Sequence, residues 1–283
     1  MTDVQRHRDC TVEKLRDGVR QRESDAVAVE EPLEIRLGFS AAGKREEQPI
    51  AVTMRTPGHD HELALGFLIT EGIVRSSKDV LKIWNPAPPA RGQAHSNVIR
   101  IDLQPEVAVD LGALQRHFYT SSSCGVCGKA SIDALRQVPP LHDSDVANFR
   151  ISAEDLSQLP TLLREQQQVF GLTGGLHAAG FFDSNGFLHA VREDVGRHNA
   201  MDKLIGSAAL AGELGTNRHG VIVSGRSSFE LVQKVAMYGA PLLAGVGAPS
   251  SLAVELAEEF DIGLIGFLRE SGLNIYANAQ IVL

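Results

Sequence analysis

Residues 220–268 read GVIVSGRSSFELVQKVAMYGAPLLAGVGAPSSLAVELAEEFDIGLIGFL. Short apolar runs at GVIVSG, PLLAGVG and IGLIGFL alternate with the helical patterns SSFELVQKVAMYG and SLAVELAEEF, a β-α-β-α-β succession. Strands so short and so uniformly apolar are buried on both faces, and helical crossovers between them imply a largely parallel sheet. The expected class is α/β. In open sheets of that class, ligands bind beyond the carboxyl ends of the strands, where helix N-termini present unpaired N–H groups. The residues at those ends are Ser224-Gly225-Arg226-Ser227-Ser228, Gly245-Val246-Gly247-Ala248-Pro249-Ser250-Ser251 and Phe267-Leu268-Arg269. Glycine lets a ligand approach the backbone, serine caps helices or binds phosphate, and Arg226 and Arg269 can grip oxygens bidentately. Gly and Ser are also ordinary turn formers, so one such turn says little. Three at one edge, two of them with arginine, point to a phosphate-bearing ligand. The chain lacks a Gly-x-x-x-x-Gly-Lys loop, which argues against nucleotide hydrolysis of the phosphate-loop class.

Upstream, HAAGFF and FLHAVRED flank Asp183-Ser184-Asn185-Gly186, a hairpin signal. RHNAMDKLIGSAALAGEL is a helix with an apolar stripe. The polar run Arg192-Glu193-Asp194-Val195-Gly196-Arg197-His198-Asn199 falls where strand gives way to helix, and reads either as a site or as a capped, solvated helix start. His177, beside small apolar residues, reads more simply as a hydrogen-bonded core residue. Ser152 and Asp155 cap a helix running toward Phe170, broken by Gly171–Gly175. A boundary is expected between Pro139 and Arg150, where turn formers and charge interrupt the periodicity.

In the first half, AVAVEEPLEIRLGF and QPIAVTMR alternate as half-buried strands, HELALGFLITEG is a helix ending at Gly72, and DVLKIWN and NVIRIDL are further strands. Residues 1–25, with six basic and six acidic side chains and few large apolar ones, read as a disordered tail. The expected organisation is therefore a tail over 1–25, a smaller α+β domain over 26–150 and an α/β domain over 151–283.

At 283 residues, 43% hydrophobic and 22% charged, the composition is that of a globular protein. A net charge of -8 argues against general nucleic-acid binding. MTDVQRHRDC lacks the apolar run of a secretory signal, and no stretch supplies the roughly 18 apolar residues of a membrane span. A cytoplasmic protein that engages neither membrane nor nucleic acid is expected. Three cysteines make no disulfide framework in that compartment. Cys10, in a polar setting, is read as incidental.

The strongest local signal is Ser121-Ser122-Ser123-Cys124-Gly125-Val126-Cys127-Gly128-Lys129. Glycine after each cysteine keeps the loop unhindered, and a short helix over 129–136 would offer its positive end to a thiolate. A Cys-x-x-Cys pair is also half of a structural zinc site or a thioredoxin-type redox pair, but no second pair is present.

Taken in order, SSCGVCGKAS, TGGLHAAG, REDVGRHNAMDKLIG, VSGRSSFELVQK and GFLRESGLNIY resemble the formate dehydrogenase accessory sulfurtransferase family, FdhD, from about Leu33 to Tyr276. The resemblance implies a persulfide carrier that takes sulfur from a cysteine desulfurase. It implies delivery to the Mo- or W-bis-molybdopterin guanine dinucleotide cofactor of formate dehydrogenase, with GDP as a mimic of that substrate and no permanent metal. It further implies a cytidine-deaminase-like C-terminal fold and a homodimer. Carried over, it makes Cys124 the sulfur carrier and Cys127 a supporting thiol. It places the cofactor near Phe267, Leu268, Arg269, Glu270, Ser271 and Gly272, beside Ser224, Gly225, Arg226, Gly245 and Gly247. The chain departs from the more basic segment of related sequences at Arg269-Glu270-Ser271-Gly272. The alternatives are a zinc-dependent hydrolase or deaminase, whose Pro-Cys-x-x-Cys signature is lacking, and a non-catalytic chaperone for the cofactor.

Overall fold

The computed structural model describes residues 4–41, 43–86, 88, 96–109, 149–214 and 219–283. Near the N-terminus, β1 (His7–Arg16) and β2 (Val19–Ala28) form an antiparallel hairpin. This corrects the disordered tail expected over 1–25. The turn is Asp17-Gly18, with both residues at positive φ, as two-residue hairpin turns that match strand twist require. The charges taken as a sign of disorder are cross-strand pairs: Lys14 lies 3.1 Å from Glu23 and 3.6 Å from Asp25, and Glu13 faces Arg20 and Arg22. Exposed pairs of this kind favour one register while adding little stability. Cys10 sits on β1 opposite Asp25, half-buried and unbridged.

A second sheet holds β3 (Glu31–Ala41), β4 (Lys44–Arg55), β5 (Val80–Trp84) and β6 (Val98–Leu103) in the order β4-β3-β6-β5. On β3, Leu33, Ile35 and Leu37 recur every second residue and are fully buried, the period-2 pattern of a strand with one face on the core. Helix α1 (Asp60–Thr70) lies between β4 and β5 in sequence and ends before Gly72, which takes the left-handed conformation that stops a helix.

The main sheet comprises β7 (His177–Phe182), β8 (Leu188–Asp194), β9 (Gly220–Val223), β10 (Leu242–Gly245), β11 (Gly263–Arg269) and β12 (Gly272–Ala277), ordered β12-β11-β10-β9-β7-β8. Only β9, β10 and β11 pair in parallel; β7 is antiparallel to both neighbours and β12 to β11. The sheet is thus mixed rather than largely parallel, because a tight hairpin flanks the parallel core on each side and hairpins join only antiparallel strands. The class remains α/β. Its connecting helices are α2 (Ala153–Gln166), α3 (Gln168–Thr173), α4 (Arg197–Ala211), α5 (Phe229–Tyr238) and α6 (Ser251–Glu259). The N-terminal hairpin rests on α3.

Both faces of the main sheet are covered, which explains its uninterrupted apolar strands. Val221, Val223, Leu243 and Leu264 face a core shared with α1, α4, α5 and α6, whereas Ile222, Leu242, Ala244 and Ile265 face α2. The first core also takes in Leu33, Ile35, Ile99 and Ile101 from the four-stranded sheet. One hydrophobic cluster therefore runs through both halves of the chain.

The join between the halves is the crossing of α1 and α4. A Cβ on Gly66 would lie 1.8 Å from the Asp202 carbonyl oxygen, and one on Gly206 would lie 1.8 Å from that of Glu62. Only paired glycines allow so close an approach. Among the described residues, no helix is long and apolar enough to cross a membrane.

Candidate functional site

The carboxyl ends of β8, β9, β10 and β11 share one edge of the sheet with the start of β7, since His177 pairs with Asp194. The edge thus gathers the three turns singled out in the sequence, the run Asp194–Asn199 and His177. The N-termini of α4, α5 and α6 begin there as well. Ser250 caps α6 by accepting from the Ala253 N–H at 3.2 Å; Ser228 makes no such cap and donates instead to Glu230 at 3.0 Å.

The turns are zipped to one another by backbone hydrogen bonds beyond the strands. Gly247 N–H donates to the Gly225 carbonyl (2.9 Å), Ser250 N–H to Ser227 (3.1 Å) and Phe267 N–H to Gly247 (3.1 Å). Two of the glycines serve this contact. A Cβ at Gly245 would lie 2.5 Å from Ser227 Oγ, and one at Gly247 2.9 Å from the Arg226 nitrogen. Ser224 is likewise engaged, its Oγ accepting from Ala178 N–H at 2.9 Å. The result is a rigid rim.

The other expected residues divide. Arg226 is exposed on the rim, and Arg269 is exposed with Nη1 at 3.4 Å from the Val246 carbonyl. Phe267 is 43% exposed and holds φ of +52°, a conformation that costs a bulky side chain roughly 1–3 kcal/mol. Such cost concentrates at functional sites. Leu268 by contrast is buried in the core shared with α2. Glu270 accepts a hydrogen bond from Thr161, and Glu270 and Ser271 form the turn of the β11–β12 hairpin, whose last pair is Arg269 with Gly272.

Behind the rim lies a cavity of about 530 Å³ that the sequence reading missed. Its wall includes Leu163, Gln167, Phe170, Leu176 and His177, and it reaches the rim at Ser224 and Val246. Gln167 occupies the break between α2 and α3, with φ -79° and ψ 79°. Glu193 holds α3 in place by accepting from the Val169 and Phe170 N–H groups. The interruption of helical spacing before TGG was the available signal, but it does not show where the side chain points. Burial, reinforced by Arg197 and His198, holds the His177 imidazole below its ordinary pKa and so favours the neutral ring.

Most of the Arg192–Asn199 run proves architectural. Asp194 is fully buried, 2.7 Å from Lys203, and accepts from Thr56, Gly196 and Asn199. Asp202 meets Lys234 at 2.7 Å and accepts from Thr70. Burial raises the Asp202 carboxyl and lowers the Lys203 ammonium, in each case against the pull of the ion partner. Nearer the surface, burial would raise Glu230, yet the His198 hydrogen bond at 3.0 Å keeps its carboxyl below the usual range. Glu62 is likewise held at about 2: burial opposes this, and the two-pronged contact with Arg192 and the neighbouring His59 overcome it.

Cys124 and Cys127 lie outside the described residues.

The sequence has known relatives and the fold a known counterpart. Residues 28–283 match the FdhD/NarQ family, and the chain belongs to it. It is 47% identical over 270 residues to "Sulfur carrier protein FdhD" of Streptomyces coelicolor, covering 95% of this chain and 93% of that protein. It is 39% identical over 267 residues to the protein of the same name from Saccharolobus solfataricus, covering 94% and 95%. In fold it is similar to a crystal structure described as a formate dehydrogenase accessory protein from Desulfotalea psychrophila. The TM-score is 0.73 at 23% identity, over 98% of this chain and 99% of that one.

Proposed function

We propose that this protein carries sulfur for formate dehydrogenase maturation. It takes sulfur from a cysteine desulfurase as a persulfide on Cys124 and delivers it to Mo- or W-bis-molybdopterin guanine dinucleotide, bound as substrate at the rim. The observation that carries this reading is similarity along nearly the whole chain to proteins named as sulfur carriers. The chemistry suits the residues. A Cys124 thiolate attacks the terminal sulfur of the donor's persulfide, the donor thiolate leaves, and Cys124 becomes the persulfide with no net redox change. Cys127 supports the carrier thiol. Arg226 and Arg269 on the rim meet the phosphates of the cofactor, as charge-assisted donors do. On this reading the sheet is deaminase-like in architecture alone, and the working form is a cytoplasmic homodimer.

The test is intact-mass spectrometry after incubation with a desulfurase and cysteine. The wild-type protein gains the mass of one sulfur atom, Cys124→Ala gains none, and Cys127→Ala is labelled in part. Normal labelling of Cys124→Ala contradicts the assignment of the carrier.

A further inference from the structure

His177 opens β7 where the cavity wall meets the rim, and its place there is fixed. The next residue, Ala178, donates its N–H to Ser224 Oγ at 2.9 Å and accepts from the Ser224 N–H at 3.0 Å, which pins the start of β7 to the turn after β9. The imidazole lies along that turn. A Cβ on Gly225 would stand 3.4 Å from His177 Nδ1 and 3.7 Å from Cε1, so no side chain separates this edge of the ring from the rim. Sequence favours a hydrogen-bonded core residue at this position, yet the half-buried ring makes no hydrogen bond among the described residues. Its nitrogens are available to a ligand. Arg197, at the first position of α4, brings charge to the same place, its guanidinium acting on both His177 and the Glu230 carboxylate. It is half-exposed, and no carboxylate pairs with it among the described residues, since Glu230 is taken by His198 and Ser228 at 3.0 Å each.

We propose that His177 and Arg197 form a second anion-binding pole of the rim, beside Arg226 and Arg269, where the imidazole hydrogen-bonds a phosphate oxygen of the bound nucleotide. The inference rests on the reading above that the rim receives a phosphate-bearing substrate, and it adds two residues to that site. The contact is linked to a proton. Without ligand, burial, Arg197 and His198 hold the ring below its ordinary pKa, against the pull of Asp194. Of the other charged groups around it, Arg226 stands on the adjoining turn, Glu230 is engaged by His198, and Arg164 across the cavity stacks on Phe170. A bound diphosphate reverses the sign of that field and favours the imidazolium, so nucleotide and proton strengthen each other's binding. The gain in affinity is complete below the pKa of the free ring and is lost as pH rises through that of the complex.

The test is calorimetric titration of the full chain with GDP between about pH 6 and about pH 8.5, a range that spans imidazole titration. His177→Asn keeps a hydrogen-bonding edge but no titrating proton. Wild-type protein should bind GDP about 10-fold more tightly than this variant at the acid end and equally at the alkaline end. Measured in two buffers of different ionisation enthalpy, wild type should also take up more of a proton than the variant, a comparison that cancels titration of the nucleotide itself. Arg197→Ala should weaken GDP binding about 10-fold while leaving urea unfolding unchanged. An identical pH slope in wild type and His177→Asn overturns the role of the imidazole, and so does a wild-type advantage that grows toward alkaline pH. If His177→Asn does not fold, Arg197→Ala decides: a 10-fold loss upholds the pole and unchanged affinity removes it. GDP binding that survives unchanged in both variants overturns this inference alone. If wild-type protein binds no GDP at any pH, the nucleotide reading falls and this inference with it.

Discussion

The seam between α1, α4 and α5 and the rim at the carboxyl edge of the main sheet are both rich in charged and polar residues, and they use them in opposite ways. In the seam nearly every charge has a partner. Arg55, fully buried, reaches Asp60 and Asn97; Lys203 reaches Asp194; Lys234 reaches Asp202 and Thr70. On the rim, Arg226 and Arg269 stand in solvent with no carboxylate partner among the described residues, and Gln167 behind them has a buried Nε2 with no partner among those residues. Buried charge must be compensated to exist at all, whereas a group held ready for a ligand must not be. Pairing, rather than polarity, separates the scaffold from the site.

The largest effect is expected in the seam. Lys234→Met leaves Asp202 buried beside Glu71 without its cation and should cost about 3–5 kcal/mol in urea unfolding. Adding Asp202→Leu should restore part of that loss, because the desolvation cost then disappears with the charge. Next comes the helix crossing. Gly66→Ala sets a methyl against the Asp202 backbone and should destabilise by roughly 1–3 kcal/mol or more, with a lowered Tm, since neither helix can retreat without opening the core.

A smaller effect depends on pH. Glu62 titrates at about 2 in the folded protein against an ordinary value of 4.5, so its folded form binds a proton less readily. The stability this confers is complete above pH 4.5 and is lost as pH falls toward 2. Glu62→Gln should remove that slope, a difference on the order of 2 kcal/mol after solvent screening, seen as convergence of the two unfolding curves in acid.

The rim should give the smallest change in stability. Arg226→Ala and Arg269→Ala should each shift unfolding by less than about 0.5 kcal/mol, as exposed substitutions do. Yet each should weaken GDP binding by about 1–3 kcal/mol where it contacts phosphate. Loss of stability without loss of GDP affinity would erase the distinction between rim and seam.

Much of this was legible in the sequence because it is written in local chemistry. The β9–β11 succession, the Ser152 cap, the α1 stop at Gly72 and the turns at Ser224 and Gly245 follow from periodicity and turn residues. The β7–β8 hairpin was legible at Asn185-Gly186, but the antiparallel docking of β7 on β9 and of β12 on β11 was not, because the order in which strands assemble is a tertiary choice. The N-terminal hairpin was missed although Asp17-Gly18 is a strong turn signal, since charge composition outweighed it. Motif residues such as Arg192 and Asp194 looked like site candidates because sequence shows a charge but not its partner, here Glu62 and Lys203. Gln167 was invisible for the converse reason: nothing about a glutamine announces that its amide is buried and unused.

An isotope chase decides whether sulfur travels through Cys124 to the cofactor. Protein persulfidated with heavy-isotope sulfur is freed of donor and mixed with formate dehydrogenase precursor and its cofactor. The label should leave Cys124 and be recovered in the cofactor of the enzyme that becomes active. Activation with the label still on Cys124, or with unlabelled sulfur in the cofactor, would contradict it.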